Sequence, residues 1–188
     1  MKKKILTFLA VFILVGTAKY VYDVNINYNF KPITEGKVYK SGVIPPDEIA
    51  NYAKKYNLKS IIDLRFPGTD DLVNNPEVPE ELTAEEEAVK KIKGLTYFNV
   101  GSEQVPNEEV LNKFYTIMDN PDNYPVLIHC YHGEGRAPLF SAVYRMEYEG
   151  MSNEEARDKT RMLVKFSSFD DGKPKGEFLK NYKTRNKK

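Results

Sequence analysis

Two periodicities alternate along this chain, and the points where one gives way to the other mark out its elements. An almost unbroken apolar run, Ile5 to Gly16, follows Met1-Lys2-Lys3-Lys4. Asp23 to Phe30 then alternates weakly, which predicts a linker or an edge strand. Lys37 to Lys40 reads as a short strand ending at Ser41-Gly42, and Pro45-Pro46-Asp47-Glu48 opens a helix to about Tyr56, with proline and acids in its first turn. Ile61-Ile62-Asp63-Leu64 is a buried strand bounded by Arg65-Phe66-Pro67-Gly68. Thr69 to Leu82, holding Pro76 and Pro79, predicts a long surface loop. Thr83-Ala84-Glu85-Glu86 has the form of a capping box for a helix to about Lys93. Tyr97 to Val100 is a strand. Asn107 caps a helix whose apolar face is Val110, Leu111, Phe114, Ile117 and Met118. Val126 to Ile128 is the last strand, and the helix after it carries Leu139, Phe140, Val143 and Met146. A second capping box, Ser152-Asn153-Glu154-Glu155, starts a helix to about Lys165. A short helix near Phe178 to Tyr182 precedes a basic tail.

Strands and helices in alternation predict an α/β fold, a central mostly parallel sheet flanked by helices. Residues 25–188 form the domain, and residues 1–24 a separate apolar segment. The three lysines ahead of that segment favour two readings. Gly16-Thr17-Ala18 supplies small residues for cleavage of a secretory signal. Alternatively the run continues past Lys19 through Tyr22, so that residues 5–22 form an uncleaved anchor near the lower length limit of a spanning helix. The anchor is the favoured reading. Either one sends the domain to the extracytoplasmic side, in the cell envelope, because the lysines stay inside.

The chemistry is concentrated in His129-Cys130-Tyr131-His132-Gly133-Glu134-Gly135-Arg136, directly after the Val126–Ile128 strand. Glycines at 133 and 135 permit a tight loop whose backbone N–H groups converge on one anion. The helix opening near Arg136 adds its positive end. The same field favours a thiolate at Cys130. Arg136 can grip two phosphate oxygens with its planar fork. Tyr131, His132, Gly133, Glu134, Gly135 and Arg136 are therefore the expected substrate-binding residues, with Cys130 as nucleophile.

This stretch resembles the His-Cys-x5-Arg signature of the cysteine-dependent protein tyrosine phosphatases. The late position of the loop is similar to that of the dual-specificity members and unlike the low-molecular-weight class. Val38-Tyr39-Lys40-Ser41-Gly42 and Ile61-Ile62-Asp63-Leu64-Arg65 also resemble early strands of bacterial and plant members of the dual-specificity superfamily. The resemblance implies a phosphomonoester hydrolase working through a phosphocysteine, without metal or other cofactor, on a phosphorylated protein or lipid. It also implies an acid on a loop ahead of the cysteine. There the chain has Gly101-Ser102-Glu103-Gln104-Val105-Pro106 and no Asp, so Glu103 is the expected general acid, with Glu108, Asp70 and Asp71 as alternatives. Ala137 departs from the usual Ser or Thr, and Gly133 to Pro138 is similar to the loop ending of the phosphatases of regenerating liver. A slow second step is implied. Glu134, an acid at the loop tip, disfavours polyanionic substrates by like-charge repulsion and points to phosphotyrosine-type esters. His129 is expected to orient the loop through a local hydrogen bond, and Arg65 to make a strand-end salt bridge.

Composition narrows the partners. Lys+Arg 28 against Asp+Glu 27 leaves no nucleic-acid footprint. One cysteine and two histidines cannot build a zinc cluster, and an oxidised Cys130 has no resolving thiol within the chain. Oligomeric state leaves no mark on the sequence. The competing readings are a membrane-tethered phosphate-binding module that has lost turnover, a lipid-phosphate phosphatase and a rhodanese-like sulfurtransferase.

Overall fold

The computed structural model describes residues 2–66, 79–160 and 167–185. Five short strands form one sheet: β1 (Lys31–Thr34), β2 (Val38–Ser41), β3 (Ser60–Asp63), β4 (Thr96–Asn99) and β5 (Val126–His129). Their order is β1-β2-β5-β3-β4. The β2–β5, β5–β3 and β3–β4 pairs are parallel, and β1 is an antiparallel edge. Pro32 sits in that edge strand, where a missing N–H is tolerated.

The strand period of two sorts the core into two layers. Val38, Ile62, Val126 and Ile128 face one side with Phe114, Leu139, Phe140 and Val143. Tyr39, Ile61 and Leu127 face the other with Ile49, Ala53 and Val89. The first layer is covered by α4 (Glu108–Met118) and α5 (Arg136–Tyr148), the second by α2 (Ile49–Tyr56) and α3 (Pro79–Lys90). Asn107 and Ser152 cap their helices as expected, Asn107 by accepting from Val110 N and Ser152 in a full capping box opening α6 (Asn153–Asp158).

Three expectations shift. Asp23 to Phe30 is neither linker nor edge strand at its start. The N-terminal helix α1 (Lys2–Val21) runs on through a π-helical turn, Tyr22–Ile26, held by the Lys19–Asp23 pair at 2.9 Å and by Asn27 N donating to Tyr22 O. The edge strand begins only at Lys31. The helix expected from Thr83 is already formed at Pro79, the first described residue of that stretch, with Glu80 and Glu81 at its positive end. Thr83 instead lies inside it, donating to Pro79 O. Helix α7 (Pro174–Asn181) opens at a proline, four residues ahead of Phe178. The expected loop from Thr69 to residue 78 and the continuation of α6 towards Lys165 lie outside the described residues, apart from a turn at 159–160.

The apolar side chains of α1 are exposed, Phe8 73%, Phe12 71% and Leu14 71% among them. Among the described residues, Thr7–Ile26 is the one helical stretch long and apolar enough to cross a membrane.

Candidate active site

Strand β5 delivers His129 and Cys130 to the carboxyl end of the sheet, where parallel α/β folds gather their ligands. His129 is in register with Ser41 on one side and Asp63 on the other, so the residues just beyond this row form the floor of the site. Three successive carbonyls of the loop are tied outward. Tyr131 O accepts from Val43 N at 2.9 Å, His132 O from Asn29 Nδ2 at 2.8 Å, and Gly133 O from Lys40 Nζ at 2.9 Å. Peptide planarity turns the N–H of each following residue the other way, away from these ties. Successive backbone N–H groups left in this way can bind an anion.

Two glycines lock the loop to the end of β2. Gly133 has φ +73°, and a Cβ there would lie 2.5 Å from Gly42 N and 2.6 Å from Ser41 C. A Cβ on Gly42 would in turn lie 2.9 Å from Tyr131 O. Gly135 is crowded from above instead: a Cβ there would meet Lys175 Nζ at 2.9 Å and Gln104 Oε1 at 3.2 Å.

Arg136 opens α5, whose first turn holds no acid to offset its positive end. Its side chain is buried, and Nη1 donates to Leu64 O at 2.9 Å and Ser102 O at 3.3 Å. The arginine thus ties the end of β3 and the 101–106 loop to the cysteine loop. Cys130 is buried beside it, 3% exposed. Lys175, brought over the loop by α7, lies in the field of both Cys130 and Arg136; burial chiefly, with Arg136, lowers its pKa against the opposing pull of Cys130.

The expected acid Glu103 is exposed, on the loop that Arg136 grips, and its carbonyl accepts from Ser102 Oγ at 2.8 Å. Its neighbour Gln104 is the residue packed against Gly135. Glu108 starts α4. Asp70 and Asp71 lie outside the described residues. Glu134 is exposed at the loop tip, 3.4 Å from Asn29 Nδ2.

Beneath the loop lies a buried charge network. Arg65 donates to Asp63 Oδ2 at 2.8 Å and to Glu85, and Tyr97 Oη donates to Asp63 at 2.6 Å. His129 Nε2 is 2.9 Å from Glu85 Oε1 and 3.7 Å from Asp63 Oδ1. Burial alone would discharge His129, but Glu85 and then Asp63 outweigh it and its pKa rises. Asp63 is held below the usual range by His129 and Arg65 against burial, which acts the other way. Asp63, Glu85 and His129 are the one described cluster close enough to share a cation. The Arg65 guanidinium already bridges its two carboxylates, while Arg65 Nη1 and both ring nitrogens of His129 are buried without a hydrogen-bond partner among the described residues. The salt-bridge role of Arg65 follows the sequence reading, whereas His129 faces Glu85, from a helix distant in sequence, instead of making the local hydrogen bond to the loop that was expected.

The sequence reading did not single out Asn29, Lys40, Gly42, Glu85 and Lys175 as site residues. Gly42, after a serine at a strand end, carried a signal of close backbone approach. Asn29 and Lys175 carried none, being brought in by elements distant in sequence.

No curated protein sequence matches the chain. Among solved structures it is similar to the core catalytic domain of the PP-IP phosphatase SIW14 from S. cerevisiae (TM-score 0.59, 22% identity, 82% of this chain and 85% of that one). It is similar to TpbA of P. aeruginosa (TM-score 0.59, 17% identity, 85% and 88%). A putative phosphatase of Shewanella putrefaciens gives a TM-score of 0.57 at 19% identity over 85% and 93%. At these identities the likeness shows the dual-specificity phosphatase fold. Sequence carries the family: the model described as DSP-PTPase phosphatase fused to NAD+ kinase matches residues 19–174, and the chain belongs to that family of cysteine-based phosphatases.

Proposed function

We propose that the chain hydrolyses phosphomonoesters through a phosphocysteine intermediate, on substrates of the phosphotyrosine type. The observation that supports this most is the tethering of the Tyr131, His132 and Gly133 carbonyls, which turns the N–H groups that follow them away from those ties, as an anion cradle requires. In this reading the Cys130 sulfur attacks phosphorus while the loop N–H groups and Arg136 hold the charge on the equatorial oxygens. Glu103 gives its proton to the departing oxygen. The same carboxylate then takes a proton from water as the water attacks phosphorus, and the thiolate leaves. Lys175 adds positive charge above the thiolate.

The substrate class rests on Glu134, whose charge at the loop tip repels polyanions. Relatives of this fold span both classes by name: SIW14 is a PP-IP phosphatase, and a TpbA variant was captured with pTyr. Ala137 supports a second reading, a phosphate-binding module with little turnover, because no hydroxyl at that position can stabilise the departing thiolate.

The exposed apolar helix α1 supports an uncleaved membrane anchor, with Lys2 to Lys4 on the cytoplasmic side and the catalytic domain outside. An aryl phosphate assay on wild type, Cys130→Ser and Arg136→Lys tests the chemistry. Both substitutions should cripple turnover, the first by removing the nucleophile and the second by replacing a bidentate fork with a point charge. Turnover near wild type in Cys130→Ser would remove the covalent route.

A further inference from the structure

A cleft of about 660 Å³ runs between the end of α1, the edge strand β1 and the outer face of the cysteine loop and α5. Lys19, Lys31, Lys40, Arg145 and Lys159 line it, against the carboxylates of Asp23 and Glu134. Asp23 is already engaged by Lys19 at 2.9 Å, and Arg145 faces Glu149 at 4.0 Å. That leaves Lys31 and Lys159, together with Lys40, whose Nζ also donates to Gly133 O at 2.9 Å, facing the cleft with Glu134 on its wall. Burial, with Lys31 adding repulsion, lowers the Lys40 pKa to about 8, although Cys130 and Glu134 partly oppose this. An ammonium so placed gains by having an anion beside it.

The rest of the lining is mixed, with Asn29, Ser141 and Thr160 as its uncharged polar members. Tyr20, Ile33 and Pro138 contribute ring and aliphatic surface, and at Gly16 a Cβ would meet nothing within 4 Å. A ligand suited to this cleft has a phosphate at one end and hydrocarbon at the other. Gly16 and Tyr20 bring the end of the helix proposed as the anchor into this lining, so the cleft opens where that helix would leave the bilayer.

We propose that this cleft is a binding site for the headgroup of an anionic phospholipid, separate from the phosphate cradle and on the opposite side of the Gly133 peptide. Lys40 connects the two, since its Nζ faces the cleft while donating to Gly133 O. The site takes its lipid from the membrane that holds α1, so the proposal rests on the anchor reading but not on the phosphatase chemistry.

The test uses the full chain in uncharged detergent, titrated with short-chain phosphatidylglycerol, short-chain phosphatidylcholine and inorganic phosphate, with binding read by native mass spectrometry and calorimetry. Phosphatidylglycerol should bind wild type and Cys130→Ser alike, and phosphatidylcholine at least about tenfold more weakly, at roughly 1 kcal/mol per facing cation and 1.4 kcal/mol per decade. The double variant Lys31→Glu, Lys159→Glu should lose the preference for phosphatidylglycerol while its aryl phosphate turnover stays at the wild-type level. Equal binding of the two lipids, or retention of the preference in the double variant, overturns the proposal. Inorganic phosphate bound as tightly as the lipid overturns the lipid as its source. Alkaline extraction of membranes tests the anchor separately, so that a failure of that reading and a failure of this site can be told apart.

Discussion

Gly133→Ala separates the two demands that the cysteine loop makes on its glycine. The first is conformational: φ is +73°, and an L-residue held there costs roughly 1–2 kcal/mol. The second is steric: the added Cβ would lie 2.5 Å from Gly42 N, about 0.9 Å inside an ordinary 3.4 Å contact. Backbone on both sides leaves no flexible side chain to give way, so the loop itself must move by most of an ångström. Overpacking of that kind costs about 1–3 kcal/mol, for a total of roughly 2–5 kcal/mol of stability. A displacement of about 1 Å in a catalytic constellation costs on the order of 10²-fold in rate. Gly36→Ala is the control, because Gly36 has φ +72° with nothing within 4 Å of its Cβ position. It should lose the conformational part of the stability and none of the turnover. Urea unfolding and kcat/KM for an aryl phosphate measure both. If Gly133→Ala keeps wild-type turnover, or loses no more stability than Gly36→Ala, the interlock of the loop with Gly42 is not what shapes the cradle.

If Glu103 protonates the leaving oxygen, Glu103→Gln should slow poor leaving groups by roughly 10²–10⁴-fold and spare activated ones; equal effects on both would move the role to another carboxylate. Ala137→Ser should abolish a burst of phosphocysteine formation and raise turnover by about tenfold, since a hydrogen bond to a charged group is worth about 1.5–3 kcal/mol. A wild type without a burst would show that the second step is not limiting. Glu85→Gln should cost about 3–5 kcal/mol by stripping a buried pair, read in urea melts. The sign with pH follows from His129, whose pKa is raised in the fold. Its stabilising share is full below about 6.5, the unfolded value, and is lost as pH rises through the folded value. In Glu85→Gln that loss should move to lower pH, visible by NMR in a chain with two histidines.

Elements with strong local signatures were legible in the sequence. The strand before Cys130, the helix after Asn107 and the Ser152 capping box each have periodicity and punctuation that agree. Helix starts were less legible: α7 opens at Pro174, ahead of the apolar residues that marked it, and α3 is already helical at Pro79, ahead of the Thr83 box. The nucleophile, the glycines and Arg136 share seven consecutive positions, so their association needed no tertiary information. The outer ties of the loop did: Asn29 and Lys40 lie about a hundred residues away in sequence, Lys40 brought to its carbonyl by the β2–β5 pairing and Asn29 by the turn ahead of β1. Glu85 was read as part of a cap, because nothing local shows that its helix packs over the carboxyl end of β3 beside His129.

The central claim is that Cys130 becomes covalently phosphorylated within the tethered loop. Rapid acid quench of the wild type during turnover of an activated aryl phosphate, followed by mass spectrometry of the peptide containing residue 130, measures this directly. The account predicts one phosphoryl group on Cys130, accumulating because Ala137 slows its hydrolysis, and none in Cys130→Ser. Steady turnover with no phosphoryl group on that peptide at any quench time, or the same turnover in Cys130→Ser, would contradict it.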